Sequence, residues 1–279
     1  MDNYNYEIKM VALDLDGTTF NSEGKLSDRT KETLEKAAAQ GVHIVVSTGR
    51  AYTALPEQIK NVKGIEYAIT SNGAHINYIQ TGEQIYSQYV CPDVVQDVIR
   101  LKNKYDANLE IFIDGVAYMD ANHYNYIKEH GCEHRNTEYV LWSRNPLPNL
   151  DDYLVNHPDM LENINLVFSS VEKLEKARPE VYALTNATIA SSFKTNLEIG
   201  GPTTSKKSAL AELLLRLNLG PENLMCCGDA PNDIQMIEFA GIGVAMGNAW
   251  GGTKDHADYV TATNDEDGVA QAIEKFVFK

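Results

Sequence analysis

Short apolar runs alternate with amphipathic stretches at the start of the chain. Residues 8–13 and 43–46 read as buried strands and residues 28–40, between them, as a helix. Leu34, Ala37 and Ala38 form the apolar stripe of that helix, Ser27 suits its N-cap, and Gly41 stands where a left-handed residue would end it. A helix over 51–59 and a strand over 67–70 continue the rhythm. Strands that are apolar almost throughout, joined through helices, predict a parallel sheet covered on both faces. The end of the chain resumes the pattern, with helices over 207–217 and 233–240 and strands over 224–227, 243–245 and 259–261.

The middle reads differently. Ile111-Phe112-Ile113, Asp114-Gly115 and Val116-Ala117-Tyr118 form a hairpin signal, because Asp-Gly is a favoured two-residue turn and antiparallel pairing belongs to another kind of sheet. Further strands over 164–168 and 188–193 and helices over 93–104 and 171–177 complete an α+β pattern. The fold class is therefore α/β: a Rossmann-like parallel-sheet core formed by residues 1–83 and 193–279, with an α+β domain inserted over 84–192. No internal repeat or low-complexity tract interrupts it.

Charge narrows the partners. With 24 Lys+Arg against 39 Asp+Glu the chain carries −15 and has no basic cluster, which argues against nucleic acid and anionic membranes. An anionic ligand would need local groups that reverse this field. No run reaches the ~20 apolar residues of a membrane span, and Met1-Asp2-Asn3-Tyr4 lacks the features of a signal peptide, so a cytoplasmic protein is expected. Cys91, Cys132, Cys226 and Cys227 contain no CxxC pair and read as reduced, mostly packing residues.

Polar chemistry gathers where strands end. The first strand runs into Asp14-Leu15-Asp16-Gly17-Thr18-Thr19, where the two-residue period starts both carboxylates in similar directions and Gly17 lets the chain turn away. The second ends in Ser47-Thr48-Gly49-Arg50, which offers a hydroxyl and a backbone donor to an anionic oxygen. Lys206, in Thr203-Thr204-Ser205-Lys206-Lys207-Ser208, stands at a helix entry, and a later strand ends in Gly228-Asp229-Ala230-Pro231-Asn232-Asp233. Open parallel sheets bind ligands beyond the carboxyl ends of their strands, so all four segments are in the expected place. Asn72-Gly73, after the third strand, is first of all a turn but is close enough to line the same cleft.

In the order D-x-D-G-T, T-G-R, K and G-D-x-x-N-D, these segments resemble the haloacid dehalogenase-like hydrolase superfamily, and G-D-A-P-N-D with an insertion after T-G-R is similar to its Cof-type phosphatases. The resemblance implies an aspartyl-phosphate phosphatase of small phosphorylated metabolites, with sugar phosphates foremost. It implies Asp14 as nucleophile and Asp16 as general acid. Mg²⁺ would be held by Asp14, the Asp16 backbone carbonyl and Asp229. Thr48, the Gly49 amide, Lys206 and Asn232 would hold phosphoryl oxygens, with Asp233 in support; Asn72 is a supporting residue by its position alone. The inserted domain would be a cap that selects the leaving group. Where the family often has Lys-Gly, Lys206 is followed here by Lys207, and register with the following helix favours Lys206 as the inward residue.

Other readings compete. Residues 201–208 approach a nucleotide-binding Gly-rich loop, but Pro202 lacks an N–H and Lys206 replaces a glycine. His130, Cys132 and His134 would face one way on a strand, although zinc would need His123 as a fourth ligand. Tyr118, Tyr124 and Tyr126 read as core. A non-enzymatic phosphate-binding regulatory protein with a persistent aspartyl-phosphate is the alternative from another class; Asp16, which offers the acid/base needed for turnover, discriminates against it, and such a protein has no use for a cap. A phosphomutase would share the chemistry and differ only in the acceptor. Oligomeric state is not legible.

Overall fold

The computed structural model describes residues 7–133 and 135–278. Its chain divides into two compact units: one comprises the segments ending at Gly49, Leu55–Tyr86 and from Ser205 onward, the other Arg50–Ala54 and Ser87–Thr204. The strands are β1 (Met10–Leu13), β2 (His43–Ser47), β3 (Ile65–Thr70), β4 (His75–Tyr78), β5 (Gln84–Ser87), β6 (Asn108–Ile113), β7 (Val116–Asp120) and β8 (Arg144–Leu147), followed by β9 (Leu161–Val167), β10 (Thr188–Ala190), β11 (Asn196–Gly200), β12 (Leu224–Gly228), β13 (Ile242–Ala245) and β14 (Tyr259–Val260).

The first unit is built on an eight-stranded sheet in the order β14-β13-β12-β1-β2-β3-β4-β5. From β14 to β3 its neighbours run parallel, as apolar strands linked through helices require. β4 turns back antiparallel to β3, because the short turn Ser71–Gly73 is far too brief for a crossover. Met10, Ala12, Val45 and Ile69 face helices Lys206–Arg216 and Ile234–Phe239 through Leu210, Leu213 and Met236. Val11, Leu13, Ile44 and Val46, buried on the opposite face, are covered from the side of helix Asp28–Ala39, which packs on helix Gly268–Phe276. Ser27 Oγ caps helix Asp28–Ala39 by accepting from Thr30 N at 3.0 Å, and Gly41 follows it at φ +87°. β1 and β12 are central and adjacent, so the segments that leave them emerge side by side.

The second unit holds a six-stranded sheet in the order β10-β11-β9-β6-β7-β8. β6 and β7 form the Asp114-Gly115 hairpin, with both turn residues left-handed (φ +50° and +71°) as a tight two-residue turn requires. One face packs on helices Pro92–Tyr105, Leu150–Asn156 and Val171–Tyr182. The unit extends to Thr204 rather than ending at 192, because Asn196–Gly200 is an inner strand of this sheet: Leu197 and Ile199 point to its helices, and Asn196 and Glu198 point away. The helix anticipated over 51–59 is divided by Pro56 into a turn at Tyr52–Ala54 and a short helix at Glu57–Lys60.

His130 ends helix Ala121–His130 instead of lying on a strand, and its Nδ1 stands 3.0 Å from Tyr126 O; His134 lies outside the described residues. Tyr124 donates to Leu141 O, whereas Tyr126 is 57% exposed and stacks on His130 rather than entering the core.

A charged network stiffens the sheet face turned away from those helices. Buried Glu110 meets Arg135 at 2.6 Å and Arg144 at 3.0 Å. Burial pushes its carboxyl up, but the two guanidiniums outweigh it and bring it from 4.5 to about 2. A folded-state value below the unfolded one adds stability that is present above pH 4.5 and lost as pH falls toward 2, on the order of 3 kcal/mol. Glu110→Gln is therefore expected to lower stability at neutral pH by about 3 kcal/mol and to flatten its pH dependence below 4.5, as read by urea unfolding across that range.

Candidate active site

The first acidic segment is shaped by one wide turn. After β1 the chain passes through Leu15–Thr19, and Phe20 N–H closes the turn on Leu15 O at 2.9 Å. Gly17 sits at φ +82°, and a Cβ there would lie 2.5 Å from Asp229 Oδ2, so only glycine fits. Thr18 Oγ1 donates to Asp229 Oδ1 at 2.9 Å and Thr19 Oγ1 to the Asp14 carbonyl at 2.5 Å. Asn248 Nδ2 holds the Gly17 carbonyl at 2.8 Å. Asp14 is buried and Asp16 exposed, so the paired acids begin in different surroundings.

Lys206 is the hub of charge. Ser205 Oγ caps the helix by accepting from Ser208 N at 3.0 Å, which makes Lys206 its first residue and sends the ammonium inward. Its Nζ donates to Asp14 Oδ1 and to Asp233 Oδ1, each at 2.6 Å. Lys207 is exposed, its ammonium 5.7 Å from the centre of the Phe239 ring. Asp233 Oδ2 accepts from the Asp229 and Ala230 amides at 2.9 and 3.0 Å, folding the last motif around a fixed carboxylate.

The electrostatics follow from this crowding. Burial alone would lower the Lys206 ammonium, but Asp14 and Asp233 over-compensate and hold it above its ordinary value. Burial raises the Asp14 carboxyl well above the usual range; Lys206 opposes this, while Asp233, Asp229 and Asp16 add to it. Asp229 is raised to about 7, first by burial and then by the charge of Asp233. Like charges gathered in a poorly solvated place favour a cation.

Asp14, Asp229 and Asp233 offer oxygens that all lie within 4.8 Å of one another. Asp233 commits both oxygens to Lys206 and to amides, which leaves the second oxygens of Asp14 and Asp229 as side-chain donors. The donor set is all oxygen and anionic, so it fits a hard divalent ion. Asp16 brings no side-chain ligand to this group.

The remaining site residues follow β2, β3 and β12. Thr48 is buried, with its N–H on Ile69 O at 2.9 Å and its carbonyl accepting from Asn72 N at 3.1 Å. Asn72 Oδ1 accepts from Asn232 Nδ2 at 3.0 Å, and the same amide lies against Gly49. The structure thus joins Asp14, Lys206, Asp229 and Asp233 in one cluster and Thr48, Gly49, Asn72 and Asn232 in another. Sequence reasoning missed the duties of Thr18, Ser205 and Asn248; the first two stand inside recognised motifs, and Asn248 has no local signal.

A family model described as haloacid dehalogenase-like hydrolase matches residues 11–273. The chain belongs to this family. A relative from Bacillus subtilis (strain 168), the 5-amino-6-(5-phospho-D-ribitylamino)uracil phosphatase YcsE, is 31% identical over 97% of this chain and 96% of its own length. Phosphatase YwpJ of the same organism is 29% identical over 94% and 98%. Among solved structures, a haloacid dehalogenase-like hydrolase from B. subtilis superposes with a TM-score of 0.81 at 28% identity, covering 96% of this chain and 99% of that one. This haloacid dehalogenase-like chain is a phosphatase, and the acidic group of its core suits the metal ion that such hydrolases use.

Proposed function

We propose that this phosphatase is a cytoplasmic, Mg²⁺-dependent hydrolase of small phosphate monoesters, with sugar or sugar-alcohol phosphates as its substrate class. The observation that carries this reading is Asp14: one carboxylate oxygen is held at 2.6 Å by Lys206, and among the described residues the other accepts no hydrogen bond. A carboxylate steadied on one side and unengaged on the other is a poised nucleophile.

Asp14 attacks phosphorus, forming the Asp14 O–P bond as the bond to the leaving oxygen breaks, and Asp16 gives that oxygen a proton. Water then attacks the aspartyl-phosphate, Asp16 takes its proton, and inorganic phosphate departs with Asp14 restored. The exposure of Asp16 supports a group that exchanges protons with substrate and water. Lys206, Thr48, the Gly49 amide and Asn232 hold phosphoryl oxygens, and Asp233 orients Lys206. Asp14, Asp229 and the Asp16 carbonyl would hold Mg²⁺, which supplies the positive charge that lets a carboxylate approach a phosphate dianion. The YcsE substrate carries its phosphate on a ribityl chain, which favours sugar-alcohol phosphates here.

The test is phosphate release from ribitol 5-phosphate, hexose phosphates, pyridoxal phosphate and p-nitrophenyl phosphate, with Mg²⁺ or with a chelator. Release that chelation silences and Mg²⁺ restores, strongest on a polyol ester, is the expected result. Silence on every ester from the folded, Mg²⁺-supplied protein would overturn the reading.

A further inference from the structure

We infer that the Ser71–Gly73 turn is a fifth element of the site, and that Asn72 is a positioning residue locking together the groups that receive the phosphoryl oxygens. The inference rests on the phosphatase reading and extends it to a segment that carries no reacting group.

The turn is unusual on its own terms. Ser71, Asn72 and Gly73 are consecutive, buried and all left-handed, at φ +50°, +56° and +101°. Two of the three are not glycine, and such strain persists only where surrounding contacts hold it in place. Those contacts lead to three parts of the site. Asn72 N–H donates to Thr48 O at 3.1 Å, and a Cβ on Gly49 would come within 3.2 Å of Asn72 Oδ1, so the phosphate loop after β2 rests on Asn72. Asn72 Oδ1 also accepts from Asn232 Nδ2. Gly73 packs so closely on the start of helix Lys206–Arg216 that a Cβ would fall 2.1 Å from Ser205 O and 3.0 Å from Lys206 N.

Topology gives the bridge its meaning. β3 and β12 are separated by β1 and β2, so their axes lie about 14 Å apart at ordinary strand spacing. The 3.0 Å contact between Asn72 and Asn232 therefore joins the loops after two distant strands across the ends of β1 and β2, which carry Asp14 and Thr48. It also fixes the Asn232 amide. One of its N–H groups is spent on Asn72, leaving the second for another acceptor, while its Oδ1 is buried with no hydrogen-bond partner among the described residues. Without Asn72, Asn232 can turn over and present an acceptor where an anion needs a donor.

Asn72→Gly is the decisive variant, since glycine takes φ +56° without strain, keeps the backbone N–H that donates to Thr48 O, and removes the side chain that bridges to Asn232. The expected result is an unchanged or raised melting temperature, kcat lower by ~10²-fold with little change in KM, and weaker binding of inorganic phosphate. Asn72→Asp, which keeps an acceptor for Asn232, should recover part of kcat. Amide NMR should move the Gly49 backbone and Asn232 side-chain signals while leaving those of β12–β14 in place. A glycine variant within about twofold of wild type in kcat and phosphate affinity, or unshifted Gly49 and Asn232 signals, overturns the inference. If the wild type releases no phosphate from any ester, the phosphatase reading fails, and phosphate binding and NMR still decide the role of Asn72.

Discussion

Replacing Asp14 with Asn will stop phosphate release, by at least ~10⁴-fold, and leave the protein folded. The amide cannot form an acyl-phosphate, so binding and electrostatic stabilisation alone remain. The fold should tolerate the change because Asn keeps an oxygen in the place where Asp14 Oδ1 accepts from Lys206 at 2.6 Å, and Lys206 retains Asp233 as its counter-ion. The exchange also removes a charge that burial and three neighbouring carboxylates disfavour. In chelator, the variant should unfold within about 1 kcal/mol of wild type. Rapid quenching of the wild type with a labelled phosphate ester should trap acid-stable label on Asp14, and the variant should trap none. Full activity in Asp14→Asn would remove Asp14 as the nucleophile.

The parts of this site legible in the sequence are those that a strand end dictates. A parallel sheet places its loops on one edge, so D-x-D after β1 and G-D-A-P-N-D after β12 had to meet once the strands were recognised. Helix register sufficed to distinguish buried Lys206 from exposed Lys207. Features that depend on side chains meeting across the sheet were not legible. Nothing local tells Asn72 to reach Asn232, or Thr18 to steady Asp229. In the second unit, Asn196, Leu197, Glu198 and Ile199 alternate polar and apolar as a strand does, but that alternation does not say which sheet the strand joins. Local periodicity defines an element and leaves its partner open.

The largest effect on stability should come from Lys206→Met. This ammonium is fully buried between Asp14 and Asp233, with Asp229 close by, so its loss leaves carboxylates facing one another without a counter-charge. Removing one partner of a buried ion pair costs about 3–5 kcal/mol, and turnover should vanish with it. Two further measurements separate lost charge from lost packing. The double variant Asp14→Asn, Lys206→Met should regain part of the stability while remaining inactive, because the crowding falls by one negative charge. Mg²⁺ should raise the melting temperature of Lys206→Met more than that of wild type, since a site without its ammonium binds a cation more tightly and a ligand of the native state stabilises according to its affinity. If Mg²⁺ stabilises both equally, the Lys206 ammonium and the cation do not share an electrostatic site, and the Asp14 and Asp229 oxygens are not its ligands. On this expectation the ammonium that holds Asp14 in place also opposes binding of a cation by the acidic cluster, and the two sets of melting curves measure how strongly these demands oppose each other.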